Sequence, residues 1–208
     1  MKKKVFNLII VDESGSMSCI RKQAFSGMNE TLSTMRQMQK KFTDTDQRVT
    51  LVTFDSEHMK WHYDNTPADK TQDLNWKDYS PCAATPLYDA MGNAISKVNA
   101  QVGSDDNVLV TVITDGWENS SREWTLTMIK QLIEKLKQQH WTFTLIGTDN
   151  LDVEGMAAQM SIDEHMEFHQ DAKETKRMFA RERRSRARYN AYVSEDACIP
   201  VGKFFDEE

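Results

Sequence analysis

At 208 residues the chain is long enough for one substantial domain with at most a short appendage, and its 39% hydrophobic and 28% charged content, with only twelve Gly and Pro, excludes fibrous and disordered classes. A formal net charge of −6 and a pI near 5.4 give no overall reason to bind nucleic acid or an anionic membrane. The balance is uneven, because between Asp171 and Asn190 eight Lys or Arg stand against three Asp or Glu.

The first element is an apolar run over residues 5–11. Lys2, Lys3 and Lys4 before it imitate a secretion signal, but Asp12 and Glu13 break the run and no cleavage site follows, so it reads as a strand. Asp12-Glu13-Ser14-Gly15-Ser16 comes directly after it. Ile20, Ala24, Met28, Leu32, Met35 and Met38 then recur at three- and four-residue steps and predict a helix with one apolar face. A second strand is expected over 49–54. Residues 57–63 follow too closely for a crossover helix, so they read as a short antiparallel edge strand.

Residues 64–84 are polar and irregular, a loop long enough to suggest function. It leads to Thr85. Pro86 fits the first position of a helix whose face is Leu87, Ala90, Met91, Ala94, Ile95 and Val98. Residues 108–114 form a strand ending at Asp115. Ser120 with Glu123 reads as a capping box for a helix carrying Trp124, Met128, Leu132 and Leu136. A strand over 142–148, a short helix over 156–160 and a weak strand over 166–168 come next. The basic stretch 173–188 has apolar residues only at Met178, Phe179, Ala180, Ala187 and nearby Tyr189, and is expected as a mostly solvated helix on a sheet edge.

Apolar strands alternating with helices predict an α/β fold: a central, mostly parallel sheet with one short antiparallel edge strand and helices on both faces. Residues 1–190 are assigned to the domain and 191–208 to a C-terminal tail. No segment approaches the roughly 20 apolar residues of a membrane span. Cys19, Cys82 and Cys198 form an odd set without a CxxC pair, which argues against a disulfide framework or a zinc site. A soluble, cytoplasmic protein is expected. His58, His62, His140, His165 and His169 are scattered and receive no role.

Asp12 and Asp115 each end an apolar strand, and in an open α/β sheet ligands bind beyond the carboxyl ends of the strands. Strands 5–11 and 108–114 must then be neighbours if one ion is to meet both carboxylates. Gly15 and Gly116 let the backbone turn sharply beside small hydroxyl side chains, so oxygen ligands can converge. A hard cation suits such a set.

These residues resemble the metal-ion-dependent adhesion site of the von Willebrand factor A family. That site combines D-x-S-x-S after the first strand, a Thr in a middle loop and an Asp after a later strand. Asp12, Ser14 and Ser16 match the first part, Thr85 in Ala84-Thr85-Pro86-Leu87 the second, and Asp115 in Ile113-Thr114-Asp115-Gly116 the third. The resemblance implies a three-layer, Rossmann-like fold and a bound Mg²⁺, with Mn²⁺ or Ca²⁺ as alternatives. It also implies a non-catalytic module in which the cation grips an Asp or Glu of a partner protein. A bacterial-type assembly containing an ATPase is one setting for such a partner, with neither nucleic acid nor membrane involved. Trp117 and Glu13 are placed on the partner-binding rim. Thr85 stands on a separate loop, whose small movements would add or remove its oxygen. By analogy with the family, the last helix slides when the site changes state.

The alternative is a Mg²⁺-dependent phosphohydrolase, which also sets acids after two strands. Ser14 stands where such an enzyme has its second Asp, so the general acid is missing. A nucleotide switch is set aside for want of either glycine-rich phosphate loop.

Overall fold

Alternation along the strands decides where the core sits, because successive side chains of a strand point to opposite faces. The computed structural model describes residues 2–195, 197 and 203–205. Its strands are β1 (Lys3–Asp12), β2 (Thr45–Phe54), β3 (Met59–Pro67), β4 (Asn107–Thr114), β5 (Trp141–Thr148) and β6 (Glu164–Phe168). The helices are α1 (Arg21–Lys41), α2 (Leu87–Asn99), α3 (Leu126–Leu136), α4 (Val153–Gln159) and α5 (Ala172–Ser194). One sheet has the order β3-β2-β1-β4-β5-β6, with every neighbouring pair parallel except β2 and β3.

Phe6, Leu8 and Ile10 of β1 and Val108, Val110 and Val112 of β4 face a core closed by α2, α3 and α4. Val5, Ile9 and Val11, with Leu109 and Ile113, face a second core under α1 and α5. The expected α/β sandwich is therefore present, with both sheet faces covered. No helix among the described residues is long and apolar enough to cross a membrane.

Three local expectations differ from the structure. The edge strand runs on to Pro67, so the irregular loop begins at Ala68 and contains two 3₁₀ turns, Ala68–Lys70 and Trp76–Asp78. Pro86 occupies the N-cap position of α2, one residue earlier than expected. Ser120 and Glu123 do not cap α3. The Glu118 carboxylate accepts from the Ser120 and Ser121 amides, and the Asp89 carboxylate from those of Arg122, Glu123 and Trp124. The helix instead starts at Leu126, capped by Thr125, whose hydroxyl accepts from the Met128 amide at 3.3 Å.

The largest correction concerns α5, which lies on a sheet face beside α1 and not on an edge. Phe179 packs on Gly27 of α1, where a Cβ would fall 2.1 Å from the ring, so only glycine permits this approach. Beneath the helix Arg186 is fully buried. Its guanidinium donates to Glu182 Oε1 at 2.9 Å from Nε, to Asn7 Oδ1 at 2.7 Å and to Thr111 Oγ1 at 2.9 Å. Asn7 donates to Gln47 Oε1, and Gln47 donates to Asn190 Oδ1 at 2.7 Å. One polar network thus joins α5 to β1, β2 and β4. Periodicity counts apolar residues, so a face held by Glu182, Arg186 and Asn190 was read as solvated. Past α5, Phe204 and Phe205 lie in the same core as Tyr189, and the Glu164 carboxylate accepts from the Lys203 and Phe204 amides.

Replacing Arg186 leaves Glu182 as an uncompensated buried charge, so Arg186→Met is expected to destabilise the domain by about 3–5 kcal/mol. The double variant Arg186→Met, Glu182→Leu should recover much of that loss, because it removes both charges. Urea unfolding of the three proteins checks this, and a double variant no more stable than the single one would contradict it.

Candidate functional site

The order β2-β1-β4 makes the carboxyl end of β1 a switch point: α1 carries the chain to β2 on one side, while β4 lies on the other. Val11 pairs with Ile113, so Asp12 and Asp115 emerge side by side into one crevice, as their sequence positions require. Both are buried, as are Ser14 and Thr85, whereas Ser16 is exposed and opens the crevice to solvent.

Asp12 Oδ1 accepts from the Ser14 amide at 2.7 Å, and its Oδ2 from Thr114 Oγ1 at 2.6 Å. Ser14 Oγ and Ser16 Oγ are 3.2 Å apart, and Ser16 Oγ donates to Asp115 Oδ1 at 2.6 Å. Gly116 shows how close the third loop comes. A Cβ there would stand 3.0 Å from Thr85 Oγ1, 3.7 Å from Asp12 Oδ2 and 3.8 Å from Ser16 Oγ. The structure therefore brings all five sequence-predicted residues to one place, where a side chain at 116 would crowd Thr85.

Thr85 is tied more firmly than its separate loop suggested. Its amide donates to Asn119 Oδ1 at 2.8 Å, and its carbonyl accepts from the Asn119 amide at 3.1 Å. On the other side the Gly15 amide donates to Ala83 O, with Ala83 in the left-handed region at φ 57. Moving the Thr85 oxygen would break bonds on both flanks.

The two rim residues part company. Trp117 is 48% exposed beside Gly116 and stands free for contact. Glu13 is 0% exposed and is no rim residue. Its Oε1 accepts from Lys60 Nζ of β3 at 2.7 Å and from the Ser80 amide, and these two partners hold it away from the crevice. Cys19 and Cys82 are exposed free thiols, with Cys19 donating to Ser16 O and Cys82 to Asp55 Oδ2, while Cys198 lies outside the described residues.

Sequence reasoning missed four supporting residues. Thr114 and Gln170 hold the two carboxylates, the latter donating to Asp115 Oδ2 at 2.7 Å from just before α5. Asn119 positions Thr85, and the buried Tyr79 donates to Asp12 O at 2.8 Å. The second of two aromatics in the polar loop, after Trp76, and a hydroxyl one residue before Asp115 were the signals available.

Among the described residues, no Lys or Arg is a hydrogen-bond partner of either carboxylate. Burial is the main reason that the Asp12 carboxyl is pushed up to about 6, opposed by its hydrogen bonds to Thr114 and Ser14; Asp115 is raised by burial as well. Hydroxyls, a backbone amide and the Gln170 amide are the partners named above for these carboxylates, and none carries charge. Two carboxylates and three hydroxyls make an all-oxygen donor set that fits a hard divalent ion, which would supply the missing positive charge.

The profile of the von Willebrand factor type A domain matches residues 8–181. The chain belongs to that family. Among solved structures, this VWA chain is similar to the vWF domain of the type V pili tip protein Mfa5 from Porphyromonas gingivalis, at 11% identity and TM-score 0.61, covering 86% of this chain and 95% of that one. It is similar also to the SpRpn10 VWA domain, at 8% identity and TM-score 0.56, over 88% and 95% of the two chains. The PilB minor pilin from Streptococcus sanguinis aligns at 10% identity and TM-score 0.58, covering 95% of this chain but 63% of the pilin, so the VWA chain spans less than two thirds of that relative. At such identities the likeness is one of fold. A comparison with curated proteins finds no match.

The raised Asp12 value gives a pH prediction for the protein in EDTA. Because the folded value near 6 exceeds the ordinary 3.8, ionising Asp12 opposes folding. The penalty is absent below about pH 4 and complete above about pH 7. Relative to Asp12→Asn, wild-type protein is therefore expected to lose stability as pH rises through this window, by on the order of 2 kcal/mol. Denaturant titrations of both proteins across the range check it, and parallel pH profiles would contradict it.

Proposed function

We propose that this VWA domain is a non-catalytic protein-binding module that holds one divalent cation, Mg²⁺ by its chemistry, and uses it to grip an Asp or Glu of a partner. Asp12, Ser14, Ser16, Thr85 and Asp115 would hold the ion. The observation that carries the reading is the convergence of oxygens from three separate loops on one buried crevice, whose carboxylates, among the described residues, have only neutral hydrogen-bond donors. Family membership supports it, since VWA domains generally serve protein interaction.

Three of the five residues offer neutral hydroxyls, so the site would set at most two negative charges against a dication. The bound ion would supply a positive centre with an exchangeable position at the exposed, Ser16 side of the crevice. A partner carboxylate entering there exchanges water for a charged contact in surroundings less polar than bulk solvent. Trp117, exposed beside Gly116, offers apolar area next to that point. Cytoplasmic residence and an ATPase-containing partner assembly remain part of the proposal on the strength of the sequence reading alone.

Mg²⁺ or Mn²⁺ is expected to raise the melting temperature of wild-type protein, by mass action worth about 2.7 kcal/mol at a hundredfold excess over Kd, and Asp12→Ala should lose the response. Partners captured in Mg²⁺ and lost in EDTA would then be titrated against variants. Thr85→Ala should bind such a partner at least tenfold more weakly, about 1.4 kcal/mol, with Thr85→Ser close to wild type. Equal partner affinity for wild type and Thr85→Ala would sink the gripping role of the cation.

A further inference from the structure

Glu13 lies between two candidate ligands in sequence, yet the structure turns it away from them and buries it. A carboxylate is costly to bury, and it persists inside only where charge and hydrogen bonds compensate it. Lys60 of β3 supplies the charge at 2.7 Å. The Ser80 amide supplies a hydrogen bond to the same oxygen, and Ser80 belongs to the long loop that ends at Thr85.

That contact is one of a row between the same two segments. Tyr79 Oη donates to Asp12 O at 2.8 Å, the Cys82 amide to Glu13 O at 2.9 Å and the Gly15 amide to Ala83 O at 3.1 Å. Residues 79, 80, 82 and 83 are thus bonded to residues 12, 13 and 15. The row runs directly into Thr85, whose oxygen must stand opposite Ser16 for the three loops to act together. Glu13 bonds in the row through a charged side chain, where Asp12 bonds through its backbone, and its partner Lys60 anchors it to β3, the edge strand.

We infer that Glu13 is a positioning residue: by docking residues 79–83 onto the turn after β1, it sets Thr85 at its distance from Ser14 and Ser16 before any ion arrives. The pair has a second effect. With Lys60 balancing it and the protein burying it, Glu13 cannot swing into the crevice as a third carboxylate and take the position left for a partner's acid. This inference rests on the cation reading proposed above, and deepens it by naming what holds the three loops in register.

The test uses full-length protein, with Mn²⁺ alone as the probe. Glu13→Ala removes the tie and leaves Lys60, whose side chain is 36% exposed, free to turn to water. Glu13→Gln keeps an oxygen for the Ser80 amide but not the charge, and serves if the alanine variant fails to fold. Lys60→Arg keeps the pair and is the conservative control. Calorimetric titration below the melting temperature is expected to show Mn²⁺ bound about tenfold more weakly by Glu13→Ala, about 1.4 kcal/mol, with a smaller loss in Glu13→Gln and near wild-type binding in Lys60→Arg. In metal-free protein, amide exchange at Ser80 and Cys82 should rise selectively in the Glu13 variants while β1 and β4 stay protected, which a general loss of stability would not produce.

Wild-type protein that binds Mn²⁺ while both Glu13 variants bind it equally well would overturn this inference alone. Unchanged exchange at Ser80 and Cys82 would do the same. Wild-type protein that ignores Mn²⁺ would overturn the cation reading, and this inference with it.

Discussion

Two like charges share one buried crevice because β1 and β4 pair in parallel and end together, and the surroundings of the site follow from that constraint. Asp12 and Asp115 cannot both ionise there cheaply, since burial weakens their hydration and each repels the other. The fold answers with short hydrogen bonds from Thr114, Ser16, Gln170 and the Ser14 amide. These bonds orient both carboxylates without neutralising them. A site built this way carries a charge cost that, under the reading proposed above, a small, hard cation would relieve.

Rigidity around the crevice comes from loops bonded to one another more than from helices. Thr85 is held by Asn119 on one side and by the row that runs from Tyr79 to Ala83 on the other. Glu118 and Asp89 fasten the loop that carries Trp117 to the start of α2 by accepting from successive amides. Carboxylates that collect backbone N–H groups in this way replace the regular ladders that loops lack. The exposed Trp117 therefore stands on a braced support.

The other face of the sheet bears on the mobility expected of the last helix. Sliding α5 by one turn, about 5.4 Å, would pull Arg186 from Asn7 and Thr111 and Asn190 from Gln47, exposing several buried polar groups at once. The network holds α5 in one register, while Gln170 just before the helix touches Asp115. In this chain the end of the helix near the site and its middle are fastened by different interactions.

The neighbouring of β1 and β4, the antiparallel edge strand and the helices on both faces were legible in the sequence, and the family resemblance set Thr85 with Asp12, Ser14, Ser16 and Asp115. Those features depend on periodicity and on which residues follow which strand, and both are local. The same reasoning failed for α5 because apolar counting is blind to a helix buried through an ion pair: Arg186 and Glu182 look like solvent-facing residues until Asn7 and Thr111 are seen beneath them. It failed for Ser120 and Glu123 because Glu118 and Asp89, the latter 31 positions from Ser120, compete for the same amides. It failed for Glu13 because a carboxylate beside two candidate ligands looks like part of their site, and only the approach of Lys60 and Ser80 from distant segments turns it inward. The sequence by itself determined which oxygens stand at the strand ends. Tertiary structure alone decided which charges are buried, because burial depends on segments tens of residues away, such as Asn7 and Thr111 beneath Arg186, whose positions no local pattern encodes.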